Sequence, residues 1–166
     1  MGKQSLRKLI YKGISIVGTL LLIVPFFTYW IEYRSSGGVT RQTYSYFYAN
    51  LYEKGGETIK IANILFIIGL SLAVLMMILQ IIYYFKPSEV LSNIIKLMAL
   101  GVITFTALAL VLNLLYCGSK SVTNKVRLLP SVGAYIMFVA GLMSGIFALL
   151  EQYHEYTKPK KPNLPF

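Results

Sequence analysis

The sequence predicts an all-α membrane protein, a four-helix bundle with a longer first outer loop. Three observations carry that expectation. Hydrophobic residues make up 56% of the 166 positions, above the usual share for a soluble domain. Mean hydropathy is positive, at +0.63. Four apolar stretches, about 9–31, 59–85, 90–116 and 131–152, contain few charges, and each is long enough to cross a hydrocarbon core of about 30 Å. A chain of this size fits one bundle over residues 1–166 with no separate soluble domain.

The last stretch organises the rest. Counted from Leu128-Leu129-Pro130, its apolar run carries no charge until Glu151. Gly141 and Gly145 lie four apart on one helical face, and Ala140, Ser144 and Ala148 extend a strip of small residues. Such a strip lets another helix backbone approach closely.

The first stretch follows a basic start, Lys3, Arg7, Lys8 and Lys12. Its apolar part is too long for a signal peptide and has no small-residue cleavage site, so a retained helix is expected, kinked at Pro25. Gly13, Ser15, Gly18 and Thr19 supply small contacts, and Phe26, Phe27, Tyr29, Trp30 and Tyr33 cluster at the far end, where aromatic rings favour the headgroup level.

The loop from about 32 to 58 is punctuated by Gly37-Gly38 and Gly55-Gly56. Tyr44, Tyr46 and Tyr48 alternate as a strand would, while Tyr44, Phe47, Tyr48 and Leu51 share a helical face, so periodicity leaves both open. With Trp30 and Tyr52, these aromatics (Tyr44, Tyr46, Phe47 and Tyr48) are the candidates for partner contact, or for lying along the membrane interface.

The second stretch carries a small pair, Gly69 and Ala73, and two amides, Asn63 and Gln80. Lys86-Pro87-Ser88-Glu89 turns the chain, with Ser88 as N-cap and Glu89 at the positive end of the next helix dipole. So short a connection forces an antiparallel hairpin. In the third stretch Lys96 lies close enough to an end to snorkel, and Gly101, Thr104 and Ala107 form a small face. Asn113 is expected to hydrogen-bond between helices, because amides commonly do so within bundles.

Charge and chemistry-bearing residues narrow the function. The formal charge is +10, but the Lys and Arg residues flank apolar spans, which points to anionic lipids and away from nucleic acid. With four spans both termini share one side, and the basic cluster before the first helix places them in the cytoplasm. The chain has one Cys, one His and no Asp. Cys117 can form no intrachain disulfide, and the lone His154 excludes a bis-histidine haem. Glu151, His154 and Glu155 read as a solvated helix end rather than a metal set. No metalloprotease, phosphate-loop or nucleophile-elbow pattern occurs, so neither enzyme activity nor a cofactor is expected.

Basic start, long first outer loop, tight turn, short second loop and Gly-rich last helix resemble the claudin-like tetraspans. The residues carrying the resemblance are Pro25-Phe26-Phe27-Thr28-Tyr29-Trp30 and Gly133-Ala134-Tyr135 with Gly141 and Gly145. The Cys pair and Gly-Leu-Trp of claudins have no counterpart in the first loop. The resemblance implies a four-helix bundle whose outer loops or helix faces meet partners. The expected function is thus non-catalytic: an accessory or assembly subunit, or an adaptor, contacting other membrane subunits or a second copy of itself. The alternative is an oligomeric pore or small transporter lined by Asn63, Gln80, Asn113 and hydroxyls.

Overall fold

The computed structural model describes residues 3–35, 42–45, 56–120 and 126–156. Four helices, α1 (Lys3–Leu21), α2 (Gly56–Phe85), α3 (Glu89–Lys120) and α4 (Val132–Tyr156), run antiparallel in sequence and form one bundle. All four are long and apolar enough to cross a membrane, over Leu6–Phe27, Glu57–Phe85, Glu89–Gly118 and Val132–Tyr153. Their outward faces are apolar too. Ile64, Leu75 and Ile78 on α2 and Leu97, Leu100 and Leu115 on α3 are exposed, a surface suited to lipid. The chain is a multi-pass membrane protein.

The first span is not one continuous helix. Pro25 has no N–H to offer the carbonyl four residues back, and the chain tightens before it. Ile23 N donates to Leu20 O at 3.1 Å and Phe26 N to Ile23 O at 3.1 Å, leaving a 3-10 turn over Val24–Phe27. The proline therefore ends α1 instead of kinking it. By Tyr29 the chain is already strand, although the apolar pattern runs on to residue 31.

Three short strands cap that end: β1 (Tyr29–Ser35), β2 (Gln42–Ser45) and β3 (Val126–Pro130), ordered β2-β1-β3 and antiparallel throughout. Between β1 and β2 the register passes from Tyr29↔Ser45 to Ile31↔Tyr44, so Trp30 is an extra residue, a bulge. Neighbouring strand residues normally face opposite ways. The bulge lets both Trp30 and Ile31 turn into the core, at 1% and 3% exposure.

Leu128-Leu129-Pro130 lies in β3, not in the last membrane stretch. A short apolar run suits strand and helix alike, and Pro130 suits a strand end because it has no N–H to pair. Ser131 N then donates to Trp30 O at 2.8 Å, tying the start of α4 to β1.

At the opposite end, the terminal end, α2 closes with Lys86 N donating to Ile82 O at 2.9 Å. Ser92 N donates to Ser88 O at 3.0 Å and opens α3, with Ser88 at the N-cap position. The helices pack chiefly as α2 on α3, α3 on α4 and α4 on α1. Between α3 and α4, a Cβ on Gly141 would strike Thr106, and one on Gly145 would lie 2.5 Å from Ile103 Cγ1 and 2.8 Å from Ala99 O. Gly69 faces Phe105 and Thr106 across the hairpin, and Gly101 faces Leu72. Ala73 is buried within the main core cluster, whereas Ala148 lies with Met76, Ile95 and Ala99 in a second one.

Candidate functional site

An apolar bundle interior tolerates polar side chains when they bond one another. Toward the terminal end all four helices contribute such groups to one layer. On α1, Lys12, Ser15 and Thr19 stand three, four and seven positions apart, hence on one face. On α4, Ser144 and Glu151 stand seven apart and also share a face. Gln80 comes from α2 and Ser92 from α3, with Gln152 following Glu151 on α4.

At the centre is the Glu151 carboxylate. Lys12 Nζ lies 3.7 Å from Glu151 Oε1, with side-chain exposures of 13% and 9%, and 4.7 Å above the Tyr84 ring centre. Gln80 Nε2 donates to Glu151 Oε2 at 2.9 Å and reaches Ser15 Oγ at 3.3 Å. Ser15 Oγ donates to Ser144 O at 2.9 Å, which outweighs its 3.4 Å approach to Gln80 Oε1. Thr19 Oγ1 donates to Ser15 O at 3.1 Å, so the 2.8 Å contact with Ser144 Oγ takes its proton from Ser144. A ladder of polar groups thus climbs from Lys12 to Thr19. Its backbones are close: a Cβ on Gly18 would lie 2.5 Å from Ser144 N and 3.0 Å from Ala140 O.

Beside this ladder, on the α3–α4 seam, Ser92 Oγ donates to Gln152 Oε1 at 2.7 Å. An amide N–H faces the carboxylate, and among the described residues no three His, Cys, Asp or Glu gather as a metal set. Chemically, the layer pairs the buried Glu151 carboxylate with the half-buried Lys12 ammonium and crosslinks helices by side-chain hydrogen bonds.

The residues singled out from sequence are placed as follows. Gln80 belongs to the layer. Asn63 and Asn113 are buried in the half of the bundle nearer the sheet. Asn113 forms no interhelical bond to a described residue, contrary to expectation: its Oδ1 accepts from Cys117 Sγ at 3.7 Å within the same helix, and its Nδ2 has no partner. Asn63 Oδ1 is likewise unserved. The small-residue strip on α4 divides between two helices. Gly141 and Gly145 meet α3, while Ala140 and Ser144 meet α1.

Trp30 requires a correction. Grouped with the partner-facing aromatics, it lies instead in the core, because the bulge turns it inward. Its Nε1 donates to Pro25 O at 2.8 Å, and its ring meets Phe66 edge-on at 5.2 Å. Phe26 packs on the same Phe66 at 5.1 Å, so the three rings join β1, α2 and the 3-10 turn. Tyr44 lies in β2. Tyr46, Phe47, Tyr48 and Tyr52 lie outside the described residues, and so does the side chain of His154.

Lys12, Ser15, Thr19, Ser92, Glu151 and Gln152 were not assigned to a common site from sequence. The repeat of polar positions along one face of α1 and one face of α4 was the available signal. No family model matches this chain, and no curated protein matches it.

Proposed function

We propose that this protein is a non-catalytic scaffold of a membrane complex, an accessory or assembly subunit or an adaptor of claudin-like tetraspan type. Its termini lie in the cytoplasm, its basic ends meet anionic lipid, and its sheet end faces other membrane subunits. One observation carries this reading: the polar groups of the terminal half, Lys12, Ser15, Gln80, Ser144 and Glu151, are engaged with one another across α1, α2 and α4. Transporters keep intramembrane ionisable groups facing a water-filled path. Here the carboxylate is neutralised and hydrogen-bonded inside one chain, as suits a rigid frame.

The test is purification in mild detergent after crosslinking in the native membrane. A stoichiometric membrane partner is expected, lost from a Tyr44→Ser, Tyr46→Ser, Tyr48→Ser variant whose bundle melts normally. A protein that is strictly monomeric and alone in its native membrane would sink the proposal.

A second reading draws support from Asn63 and Asn113, whose unserved amide atoms suit a solute path. It predicts flux through liposomes holding only this chain, abolished by Asn113→Val.

A further inference from the structure

Among the described residues, the buried hydroxyls of the helices all find partners. Ser15, Thr19, Ser92, Thr106 and Ser144 are buried and hydrogen-bonded. Ser71 is the opposite case: it is exposed on the outward face of α2 and bonds no other described residue. It is equidistant from the two ends of the span Glu57–Phe85. Its hydroxyl therefore stands near the middle of the hydrocarbon, where no water is at hand to bond it.

Ser71 also belongs to a row. Ile64, Ile68, Ser71, Leu75, Ile78 and Ile82 follow one another at alternating steps of four and three, and all are exposed. That is the spacing of a helix–helix seam with a period of 3.5 residues. No charge occurs between Ile64 and Ile82, and a single polar residue in an apolar seam fixes its register. The other outward faces lack this combination. On α4, Val132, Tyr135, Val139 and Ile146 are exposed with no aliphatic hydroxyl among them. On α3, Thr104 is exposed, but Gly101 one turn before it faces Leu72 of the same chain and interrupts the row.

Symmetry selects the occupant. Copies inserted in one orientation are related by an axis along the bilayer normal, so a helix that meets its own copy does so in parallel and at equal depth. Ser71 then lies opposite Ser71 of the other copy, and a hydroxyl both donates and accepts. A back-bond to the Ile67 carbonyl would serve the proton alone, whereas a second hydroxyl serves proton and lone pair. We infer that the outward row of α2, centred on Ser71, is the contact surface for a second copy of this chain. Close packing and the hydroxyl pair hold the two copies, because lipid supplies no hydrophobic drive between helices. The inference goes beyond the scaffold reading, which places other subunits at the sheet end, and does not rest on it.

The experiment is cysteine crosslinking of the full chain in liposomes with a membrane-permeant oxidation catalyst. Ile68→Cys, Ser71→Cys and Leu75→Cys are expected to give a disulfide-linked dimer. Ile67→Cys and Val74→Cys, exposed but off the row, should not. Cys117 is buried, so the unsubstituted chain is the blank. Ser71→Ala keeps the side chain small and should weaken association about threefold, the worth of a hydroxyl bond between membrane helices. Förster transfer between labelled chains on dilution with lipid reads that change. Monomer at every dilution, association unaffected by Ser71→Ala, crosslinking as strong at Ile67 and Val74 as on the row, or crosslinking through Thr104→Cys alone overturns the proposal. So does capture of the row by a different chain in the native membrane, an outcome that leaves the scaffold reading standing. Partner loss in the Tyr44, Tyr46 and Tyr48 variant bears on the scaffold reading alone.

Discussion

Lys12 Nζ lies 3.7 Å from Glu151 Oε1, an ion pair that joins the first helix to the last beside the Ser15 and Thr19 bonds to Ser144. Each charge is sheltered by the other, and Gln80 holds the second carboxylate oxygen. Removing one member leaves a buried charge uncompensated, whereas removing both leaves a neutral, hydrogen-bondable interior. Lys12→Met and Glu151→Gln should each destabilise the bundle by about 3 kcal/mol in mixed-micelle unfolding. The double variant should recover most of that loss. Strict additivity of the two losses would show that the charges are not coupled.

Glycine tolerance should follow the clearance at each site. Gly18→Ala places a methyl 2.5 Å from the Ser144 backbone nitrogen, which no side-chain rotation can relieve. Separation of α1 from α4 at a cost of about 1–3 kcal/mol is expected. Gly69→Ala meets Thr106 Cγ2 at 3.3 Å and needs only a small adjustment. Gly13 has nothing within 4 Å, so Gly13→Ala should gain about 0.5–1 kcal/mol from helix propensity. Thermal unfolding in detergent checks the ranking, and a Gly18→Ala protein as stable as Gly13→Ala would refute the α1–α4 geometry.

Those clearances also show where sequence reasoning stopped. Span length and the tight 86–88 turn were legible, because hydrocarbon thickness and loop length act locally. The end of α1 was obscured because Phe26-Phe27-Thr28-Tyr29-Trp30 is as apolar as the helix before it, and only Pro25 marked the change. Leu128-Leu129-Pro130 was ambiguous for the same reason: three apolar residues have no period. The polar layer was the least legible. Lys12 and Glu151 each look like a residue near a helix end, and their meeting depends on the register between helices that no local pattern encodes. Asn113, by contrast, looked like an interhelical donor, but its nitrogen finds no partner.

Trp30 offers an intrinsic probe of the sheet end, being the one tryptophan of the chain. Buried to 1% exposure against Phe66 and with its indole N–H on Pro25 O, it should emit at short wavelength and resist aqueous quenchers. Trp30→Phe keeps an aromatic body but removes the indole donor from the Pro25 carbonyl, which retains Thr28 N and Oγ1 at 3.4 Å, at a cost of about 0.5–1.5 kcal/mol. Trp30→Ala also opens a cavity and should cost about 3–5 kcal/mol. Limited proteolysis should then cut the first outer segment at a concentration that spares the native protein. Red-shifted, readily quenched emission from the native chain would contradict the inward-turned bulge.

Asn113 and Gln80 are both buried amides, yet their removal should have opposite signs. Gln80 serves the Glu151 carboxylate and Ser15, so Gln80→Leu strips a charge-assisted bond and should cost about 1.5–3 kcal/mol. Asn113 keeps one weak bond from Cys117, at 3.7 Å, and an unserved Nδ2. Asn113→Val exchanges that unserved donor for apolar surface of similar bulk, so stability should be unchanged or rise by about 1 kcal/mol. Paired unfolding curves give the answer. If Asn113→Val is as damaging as Gln80→Leu, then the Asn113 nitrogen has a partner inside the bundle. If Asn113→Val is stable but removes a measurable flux, the amide serves a solute path and the scaffold reading yields to the pore.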